Sequence, residues 1–333
     1  MKKFFLLSVA ATLISSLSFA KIWRVNNNAG VIADFTTAQQ ANNSASVMNG
    51  DTIHLEPSPA SYGHLDASKR LTWISIGAFL VNYPNEQYHI HPGSITSLNV
   101  YPGSNLADNS SFHVFIIGDV NIDANNITLY RCYVGGSINL AGFVGGTGGA
   151  LLAVIGCYVV GNISINKGSG HIVNNNIIGT NISSSGGATS VQFTYNVINA
   201  LTAGGPSINN AVVENNIFNK SIFGINFINS TVRYNFASSA TASLPAGNNN
   251  TNGVTMTNVF VNSTGNIDSA FVLKAGSLAI GAGISGTNLG AFGSVSPFKL
   301  SVQPPVPAIY GILAPATPSG NTLTVTFSTK NNN

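Results

Sequence analysis

A repeat of about 20 residues is the feature that most constrains the fold of this chain. Six short segments align without gaps at successive offsets of 25, 18, 20, 20 and 19 residues, and they span 129–135, 154–160, 172–178, 192–198, 212–218 and 231–237. Short apolar segments at this period are typical of solenoids in which each repeat forms one coil. The repeat therefore predicts an all-β fold, a right-handed single-stranded parallel β-helix.

The aligned columns predict the direction of each side chain. One column is apolar throughout and is expected to face the core: Tyr130, Ile155, Val173, Phe193, Val213 and Val232. Another begins with Tyr133 and Tyr158 and continues with Asn176, Asn196, Asn216 and Asn235. Because stacked coils lie about 4.8 Å apart, these four asparagines are expected to form a structural ladder of amides at an inward-facing turn.

A variable, polar column is expected to face water: Arg131, Gly156, Asn174, Thr194, Glu214 and Arg233. Glu214 and Arg233 would then occupy adjacent coils and could pair, which contributes about 0–1 kcal/mol when the pair is exposed.

Cys132 and Cys157 also share a column of adjacent coils, which places their α-carbons about 5 Å apart, within the range of a disulfide. Export would permit oxidation, but parallel side chains point the same way, so stacked thiols and a disulfide both stay open.

Residues 1–20 have the features of a secretory signal peptide. Lys2 and Lys3 precede an apolar stretch over 4–17, and Ser18 and Ala20 supply the small residues of a cleavage site. The apolar stretch is shorter than the roughly 20 residues of a membrane span. We therefore expect a mature chain that begins near Lys21, has no membrane span after signal cleavage, and is secreted or located in the periplasm or cell envelope.

Charge is scarce in this chain, at 7% of residues against about 25% in ordinary globular proteins. Loss of residues 1–20 removes two lysines, so the 13 basic residues become 11 against 10 acidic ones and the net charge falls from +3 to +1. This balance gives no basic field to attract nucleic acid. The apolar content of 44% argues against disorder.

Segments outside the repeat predict the two ends of the β-helix. Residues 21–48 are expected to form an N-terminal cap, with a helix over 35–48 that starts at Asp34 as N-cap. Strands are expected at 50–55 and 70–77. The β-helix with its cap would span 21–296, and 297–333 would form a short C-terminal extension, a Pro-rich spacer and a terminal strand over 322–328, that covers the last coil. An attachment or sorting tail is the alternative.

Two regions resemble the pectate-lyase-like β-helix superfamily. Residues 50–53 followed by 69–77 resemble its entry segment, and 258–262, 271–283 and 289–293 resemble the closing segment of exported bacterial members, most of them uncharacterised. Leu278 stands where those members have proline, and Asn288 and Leu289 stand where they often have an acidic residue. The resemblance covers about 22–300 and implies an architecture rather than an activity, since the superfamily includes lyases, hydrolases and proteins without known activity.

Catalytic candidates are few. The N-T-D, D-D and H-G motifs of resembling hydrolases are absent, as are the R-x-P-x-x-R and W-x-D-H segments of resembling pectate lyases. Glycoside hydrolysis needs two carboxyl groups about 5–10 Å apart, and Glu214 is the only acidic residue between Ala124 and Asp268. A divergent lyase or hydrolase site would have to use N-terminal residues, and the candidates are Asp108, Asp119, Asp123, Arg131 and Lys167.

Two sets of residues could hold a metal ion. Asp119, Asn121 and Asp123 alternate along the chain, so their oxygens could face one way and bind Ca²⁺, although solvated turn residues explain them as well. His89 and His91 also alternate and could bind Zn²⁺ together with His54 or His113, but a polar surface is the preferred interpretation. No other cofactor is expected.

The leading functional hypothesis is an exported, non-enzymatic β-helix that binds a polysaccharide or another cell-surface polymer along a polar flank. The alternatives are a divergent polysaccharide lyase or hydrolase and a structural or adhesive module of the cell envelope. Ice binding ranks last, because the outward column lacks a regular array of threonines.

Overall fold

A computed structural model describes residues 20–83, 89–101, 107–140, 149–199, 207–219, 225–239, 244–261, 267–304, 307–315, 317 and 320–330. The predicted signal peptide, apart from Ala20, lies outside the described residues. Within the described ranges, no helix has both the length and the apolar character needed to cross a membrane.

The chain forms a parallel β-helix, as the repeat predicts. Numbered in chain order, the first sheet contains β1 Ile22–Val25, β2 Thr52–Leu55, β4 Thr72–Ile74, β6 Ser111–His113, β8 Thr128–Tyr130, β11 Ala153–Ile155, β15 Ile172–Asn174, β19 Val191–Thr194, β22 Ala211–Glu214 and β25 Thr231–Arg233. Each strand pairs in parallel with the equivalent strand of the next coil.

The second sheet divides into two branches after its third strand. Its first strands are β3 His64–Ala67, β5 Ser94–Val100 and β7 Ile116–Ile122. One branch, the flank branch, pairs with the start of β7 and contains β9 Tyr133–Val134, β12 Tyr158–Val159, β16 Ile177–Ile178, β20 Val197–Ile198, β23 Ile217–Phe218 and β26 Phe236–Ala237. The other branch pairs with the end of β7 and contains β10 Ile138–Leu140, β13 Ile163–Ile165, β17 Ile182–Ser184, β21 Ser207–Asn209 and β24 Asn226–Ile228.

Stacked apolar side chains fill the interior of the coils. A single in-register column of the first sheet runs through Ile53, Trp73, Phe112, Leu129, Val154, Val173, Phe193, Val213 and Val232. All of these side chains are buried. The rings of Trp73 and Phe112 lie nearly parallel, with centroids 6.4 Å apart. The column thus combines three aromatic residues, Trp73, Phe112 and Phe193, with aliphatic residues.

The predicted apolar column is wrong by one residue in its first two members. Val154 pairs with Val173, whereas the gap-free alignment places it beside Ile172, so Leu129 and Val154 face the core while Tyr130 and Ile155 lie on the outer face. The alignment allowed this error because the inward and the outward residue are both apolar in these two coils, as Leu129 and Tyr130 and as Val154 and Ile155. The same shift places Cys132 and Cys157, rather than Tyr133 and Tyr158, above the asparagines.

The asparagine ladder is confirmed. Asn176, Asn196, Asn216 and Asn235 are fully buried, and each of the first three donates from Nδ2 to Oδ1 of the next at 3.0 Å. Each Nδ2 also donates to a backbone carbonyl of the preceding coil, for example from Asn196 to Val173 at 2.9 Å. Each Oδ1 accepts a backbone N–H as well. Both amide donors and the oxygen are thus satisfied in the interior.

The two cysteines are buried free thiols that continue the ladder column. The N–H of Cys132 lies 3.4 Å from Sγ of Cys157, and the two thiols face backbone carbonyls of Phe112 and Leu129. Burial, together with the neighbouring Cys132, raises the pKa of the Cys157 thiol well above its ordinary value. In the two coils that precede Asn176, thiols therefore occupy the column position that asparagine side chains occupy in the following coils.

A column of left-handed residues joins the first sheet to the flank branch. Its members all have φ between 51° and 64°: Arg131, Gly156, Asn175, Tyr195, Asn215 and Tyr234. The predicted exposure of Arg131 is wrong. Its side chain is buried, and Nη1 donates to the carbonyl of Gln303 at 2.8 Å. The predicted Glu214–Arg233 pair is present, because these residues face outward in adjacent strands.

The helix near the N-terminus is shorter than predicted. Helix α1 spans Ala38–Asn43, and Thr37, rather than Asp34, is its N-cap, in a capping box with Gln40. The Asp34 carboxylate instead accepts the backbone N–H of Arg24 at 2.8 Å. Ala38 is fully buried against the core, so this short helix packs on the early coils.

The carboxylate of Asp51 forms hydrogen bonds with residues near the start of the described chain. It accepts the backbone N–H of Lys21 at 2.8 Å, the indole N–H of Trp23 at 2.7 Å and the backbone N–H of Met48 at 2.8 Å. Burial pushes the pKa of Asp51 upward, but these hydrogen bonds outweigh it and hold the pKa below its ordinary value.

After the last coil, the chain returns along the outside of the β-helix. We call the described residues of 254–303 the return segment; it contains the short 3-10 helices Met256–Asn258, Ser269–Phe271, Ile284–Gly286 and Leu300–Val302. Its apolar residues cover the flank branch and form a second buried cluster that includes Tyr158, Ile177, Val197, Ile217, Phe260, Leu289 and Phe298.

Hydrogen bonds to the left-handed column hold the return segment in place. Gly290 donates to the carbonyl of Asn215 at 2.8 Å, and Asn175 donates to the carbonyl of Ala291 at 2.9 Å. Ala78 donates to the carbonyl of Ser301 at 2.9 Å. Residues 298–303 therefore pack on the early coils, and the prediction that the extension covers the last coil is wrong for them.

The remaining strands form two small sheets. β14 Gly168–Ser169 pairs with β18 Ala188–Thr189, in parallel. β27 Ala308–Leu313 and β28 Thr326–Lys330 form an antiparallel hairpin. The terminal strand predicted over 322–328 therefore begins four residues later than predicted, at Thr326.

Candidate functional site

Two parallel rows of short polar side chains cover the outer face of β3, β5, β7, β10, β13 and β17. One row is His64, Ser97, Asp119, Ser137, Asn162 and Asn181, and the other is Asp66, Asn99, Asn121, Asn139, Ser164 and Ser183. We call these two rows the polar face. Between them, the side chains of Leu65, Leu98, Val120, Ile138, Ile163 and Ile182 point inward and are buried. Strand alternation thus creates a flat polar surface over an apolar core.

Hydrogen bonds run along the second row from coil to coil. Nδ2 of Asn99 donates to Oδ1 of Asp66 at 2.9 Å, and Asn121 donates to Oδ1 of Asn99 at 3.1 Å. Asn139 continues the row by donating to Oδ1 of Asn121 at 3.3 Å. Unlike the interior ladder, these amides are half-buried. An amide has two donor hydrogens and two acceptor lone pairs, so each retains capacity on its solvent side.

The first row is held by backbone donors. The N–H of Ser137 donates to Oδ1 of Asp119 at 2.9 Å, that of Asn162 to Oγ of Ser137 at 3.1 Å, and that of Asn181 to Oδ1 of Asn162 at 3.1 Å. These bonds fix the side chains in one orientation. The face is consequently pre-ordered, which lowers the entropy that a ligand must remove on binding.

Three side chains form a hydrogen-bonded chain at the start of the polar face. Nε2 of His64 lies 2.7 Å from Oδ1 of Asp66, and Nδ1 of His64 lies 2.6 Å from Oγ of Ser97. Burial pushes the pKa of Asp66 upward, but hydrogen bonds from Asn99 and His64 outweigh it and hold the pKa below its ordinary value. Asp66 is therefore ionised at neutral pH.

The predicted calcium ligands occupy different environments. Asp119 is exposed and Asn121 half-buried on the polar face, whereas Asp123 is buried. The difference arises because β7 ends at Ile122, so strand alternation does not extend to Asp123. Among the described residues, no group of three or more His, Cys, Asp or Glu side chains is arranged to hold a metal ion.

The other catalytic candidates are distributed over the coils. Arg131 lies in the turn between β8 and β9, under the return segment, whereas Asp119 lies on the polar face. Lys167 is exposed between β13 and β14. Asp108 accepts the backbone N–H of Asn125 at 2.8 Å and its side-chain amide at 3.0 Å, which is a turn-stabilising arrangement. The structure does not gather these residues around one point.

The histidines considered for zinc form two separate pairs. The rings of His89 and His91 lie 5.3 Å apart, and the N–H of His91 donates to Nδ1 of His89. His54 and His113 lie on the outer face of the first sheet, with Ile74 between them. Burial lowers the pKa of both, which favours their neutral forms.

Sequence reasoning missed the residues at the start of the polar face. His64 and Ser97 are paired across adjacent strands but lie much further apart along the chain than one period of the repeat, so β3 and β5 did not align with the six repeats. A usable signal was present in the paired segments His64-Leu65-Asp66 and Ser97-Leu98-Asn99, in which polar residues flank an inward leucine.

Comparisons with known proteins add no relative: no family model, no curated protein and no solved structure matches the chain.

Proposed function

We propose that this chain is an exported binding protein whose polar face holds an extended, uncharged polysaccharide or another cell-surface polymer. The observation that carries the proposal is the double row of ordered amide and hydroxyl groups, repeated from coil to coil across six strands. Such groups hydrogen-bond sugar hydroxyls as both donors and acceptors. Their repetition suits a polymer with a repeating unit better than a single small molecule.

Charge on the polar face favours a neutral ligand. His64, Asp66 and Asp119 are its ionisable residues, and they cluster at the N-terminal end. The later coils carry only asparagine and serine in these rows. An acidic polymer would find no basic partners there, and we expect it to bind weakly.

Architecture and sequence together support a broader assignment. The parallel β-helix and the entry and closing segments fit an exported, right-handed member of the pectate-lyase-like superfamily, and residues 1–20 fit a cleaved signal peptide. Such a protein would act in the periplasm, at the cell envelope or in the medium. Binding of this kind requires no cofactor, and the test given below is run both with and without Ca²⁺.

A second candidate function is adhesion within the cell envelope. The C-terminal hairpin of β27 and β28 exposes Ile312, Leu313 and Phe327, each by more than half of its surface. Two-stranded hairpins are marginally stable alone. An exposed apolar hairpin after a proline-containing segment would suit attachment to a partner.

The test is a polysaccharide panel with purified mature protein. Neutral polymers, such as β-glucan and galactomannan, are compared with acidic polygalacturonate and alginate by affinity electrophoresis, with and without Ca²⁺. We expect retention by a neutral polymer and no release of reducing or unsaturated ends. Cleavage products would instead support the lyase or hydrolase alternative, and no retention at all would favour adhesion.

A matched pair of variants locates the binding surface. The double variant Asn121→Ala/Asn139→Ala removes two amides from the polar face, and Asn174→Ala/Thr194→Ala removes two half-buried polar groups from the outer face of the first sheet. We expect the first to weaken binding about tenfold or more, at roughly 0.5–1.5 kcal/mol per lost hydrogen bond, and the second to leave it unchanged. The reverse pattern would place the site on the first sheet.

A further inference from the structure

His64 links a hydroxyl and a carboxylate on an open surface. Its Nδ1 is 2.6 Å from Oγ of Ser97, and its Nε2 is 2.7 Å from Oδ1 of Asp66. The side chains of His64 and Asp66 are both more than 40% exposed, so solutes can reach them. Parallel strand pairing creates this contact, because His64 faces Ser97 across β3 and β5 and Asp66 follows two residues later on the same face.

The partners determine which ring nitrogen carries the proton. Nε2 lies 2.7 Å from Asp66 and 3.3 Å from the Asn99 amide, which makes its closer contact of 2.9 Å with Asp66. Ionised Asp66 accepts only, so Nε2 donates to it and Nδ1 is left as the acceptor for the Ser97 hydroxyl. In serine hydrolases the same three residue types act as nucleophile, base and orienting group. The two ring nitrogens are exchanged here, but the order of hydrogen bonds is the same.

We infer that Ser97 is an activated nucleophile, with His64 as its general base, and that the site reacts with carboxylic esters. Asp66 is a positioning residue that holds the imidazole in the required tautomer. This activity goes beyond polymer binding and needs neither the later coils of the polar face nor a polymer.

The reaction is balanced with water as the co-reactant. Oγ of Ser97 forms a bond to the ester carbonyl carbon while its proton moves to Nδ1 of His64. The bond to the alcohol oxygen then breaks, and His64 returns the proton to that oxygen, which leaves an acyl group on Ser97. Water attacks this acyl group, again with proton transfer through His64, and the carboxylic acid leaves as Ser97 is restored.

Asp119 slows both halves of this reaction, because a tetrahedral oxyanion forms in each of them. It is the residue paired with Ser97 on the opposite side from His64, and its negative charge disfavours an oxyanion nearby. Asp119→Asn, which retains an oxygen for the N–H of Ser137, should accelerate both steps.

Labelling with a fluorophosphonate, followed by peptide mass spectrometry, tests the inference directly. Ser164 is the matched control, a half-buried serine of the same face whose hydroxyl contacts Ser183 rather than an imidazole. We expect modification of Ser97 and not of Ser164. We also expect His64→Gln to slow the labelling by roughly 100-fold, the lower range for loss of a general base. Equal labelling of both serines, or an unchanged rate in His64→Gln, would overturn the inference.

p-Nitrophenyl acetate provides the second measurement. Its leaving group is activated, so we expect acylation of Ser97 to outpace hydrolysis of the acyl form and to give a burst of p-nitrophenol that Ser97→Ala abolishes. The role of Asp66 is read from the ¹⁵N chemical shifts of the His64 ring. Asp66→Asn should move the ring away from a pure Nε2–H tautomer, whereas an unchanged shift would remove Asp66 from the arrangement. Thermal melts identify any variant that loses its fold.

Discussion

Asn196 donates from its side-chain amide to Oδ1 of Asn216 at 3.0 Å, in an interior where both residues are fully shielded from water. In turn, Oδ1 of Asn196 accepts both the backbone N–H and the side-chain amide of Asn176. Each rung therefore satisfies the rungs on either side. A buried donor without a partner costs about 1–3 kcal/mol. Loss of one asparagine therefore also leaves donors of the neighbouring asparagine without an acceptor.

Replacement of one rung should destabilise the chain strongly. Asn196→Ala leaves two buried N–H donors of Asn176 without their acceptor, and we expect the free energy of unfolding to fall by about 3 kcal/mol or more. Urea unfolding followed by circular dichroism measures the change. Asn219→Ala is the control, because Asn219 pairs with Asn199 in a half-buried position and should cost about 1 kcal/mol or less. Equal losses in the two variants would contradict the ladder's role.

The two thiols should be unreactive in the native protein and reactive once it unfolds. Cys132 and Cys157 are both buried, so a disulfide reagent cannot reach them in the folded protein. Burial also raises the pKa of Cys157, which keeps that thiol in its unreactive protonated form. We expect almost no reaction with Ellman's reagent under native conditions and two thiols per chain in denaturant. Resistance to alkylation in denaturant without a reductant would instead show a disulfide.

Asn175 should anchor the return segment through its side chain. It donates to the carbonyl of Ala291 and accepts from the hydroxyl of Ser294, and its φ is 58°. Asn175→Gly keeps the backbone conformation but loses both contacts, whereas Asn175→Ala adds left-handed strain of about 1–2 kcal/mol. We expect faster amide hydrogen exchange near 291–294 in both variants, and a lower free energy of unfolding in Asn175→Ala than in Asn175→Gly. Unchanged exchange in both would show that apolar packing alone holds the segment.

Asp268 should make stability depend on pH. It is fully buried, and burial raises its pKa although the N–H of Ser301 and the hydroxyl of Tyr83 donate to it. A raised pKa in the folded state means that its stabilising contribution is complete below the ordinary Asp pKa of about 3.9 and is lost as pH rises through the folded value.

Asp268→Asn isolates this effect. We expect the melting temperature of the wild-type chain, relative to that of Asp268→Asn, to be highest in acid and to decline as the pH is raised. Asp51 and Glu56 act in the opposite direction, because their pKa values are lowered in the folded state and they therefore stabilise the fold at pH values above their unfolded pKa values. Both proteins contain these two residues, so the comparison removes their contribution. A difference that grows with pH would refute the assignment.

The sequence repeat was sufficient to predict the parallel β-helix and the asparagine ladder. Both depend on inward side chains of one kind that recur at the period of the repeat over several successive coils. The register error at Val154 shows the limit of this reasoning, because neighbouring apolar residues let the alignment slip by one position without any visible penalty.

The contacts that cross the repeat could not be predicted in the same way. Burial of Arg131 depends on the return segment, which meets it from 172 residues further along the chain. The contact between His64 and Ser97 depends on a coil of irregular length. Neither partner carries a periodic signal, so only the folded structure brings them together.

Asp51 would give a chain cleaved at the predicted site a charged partner for its first residue. Its Oδ1 lies 2.8 Å from the backbone nitrogen of Lys21, and that nitrogen is a neutral amide as long as Ala20 precedes it. Cleavage at the predicted site would turn the same atom into a charged ammonium group, already within reach of an ionised carboxylate. Processing would then exchange a plain hydrogen bond for an ion pair, so the mature protein would be held more firmly than its precursor.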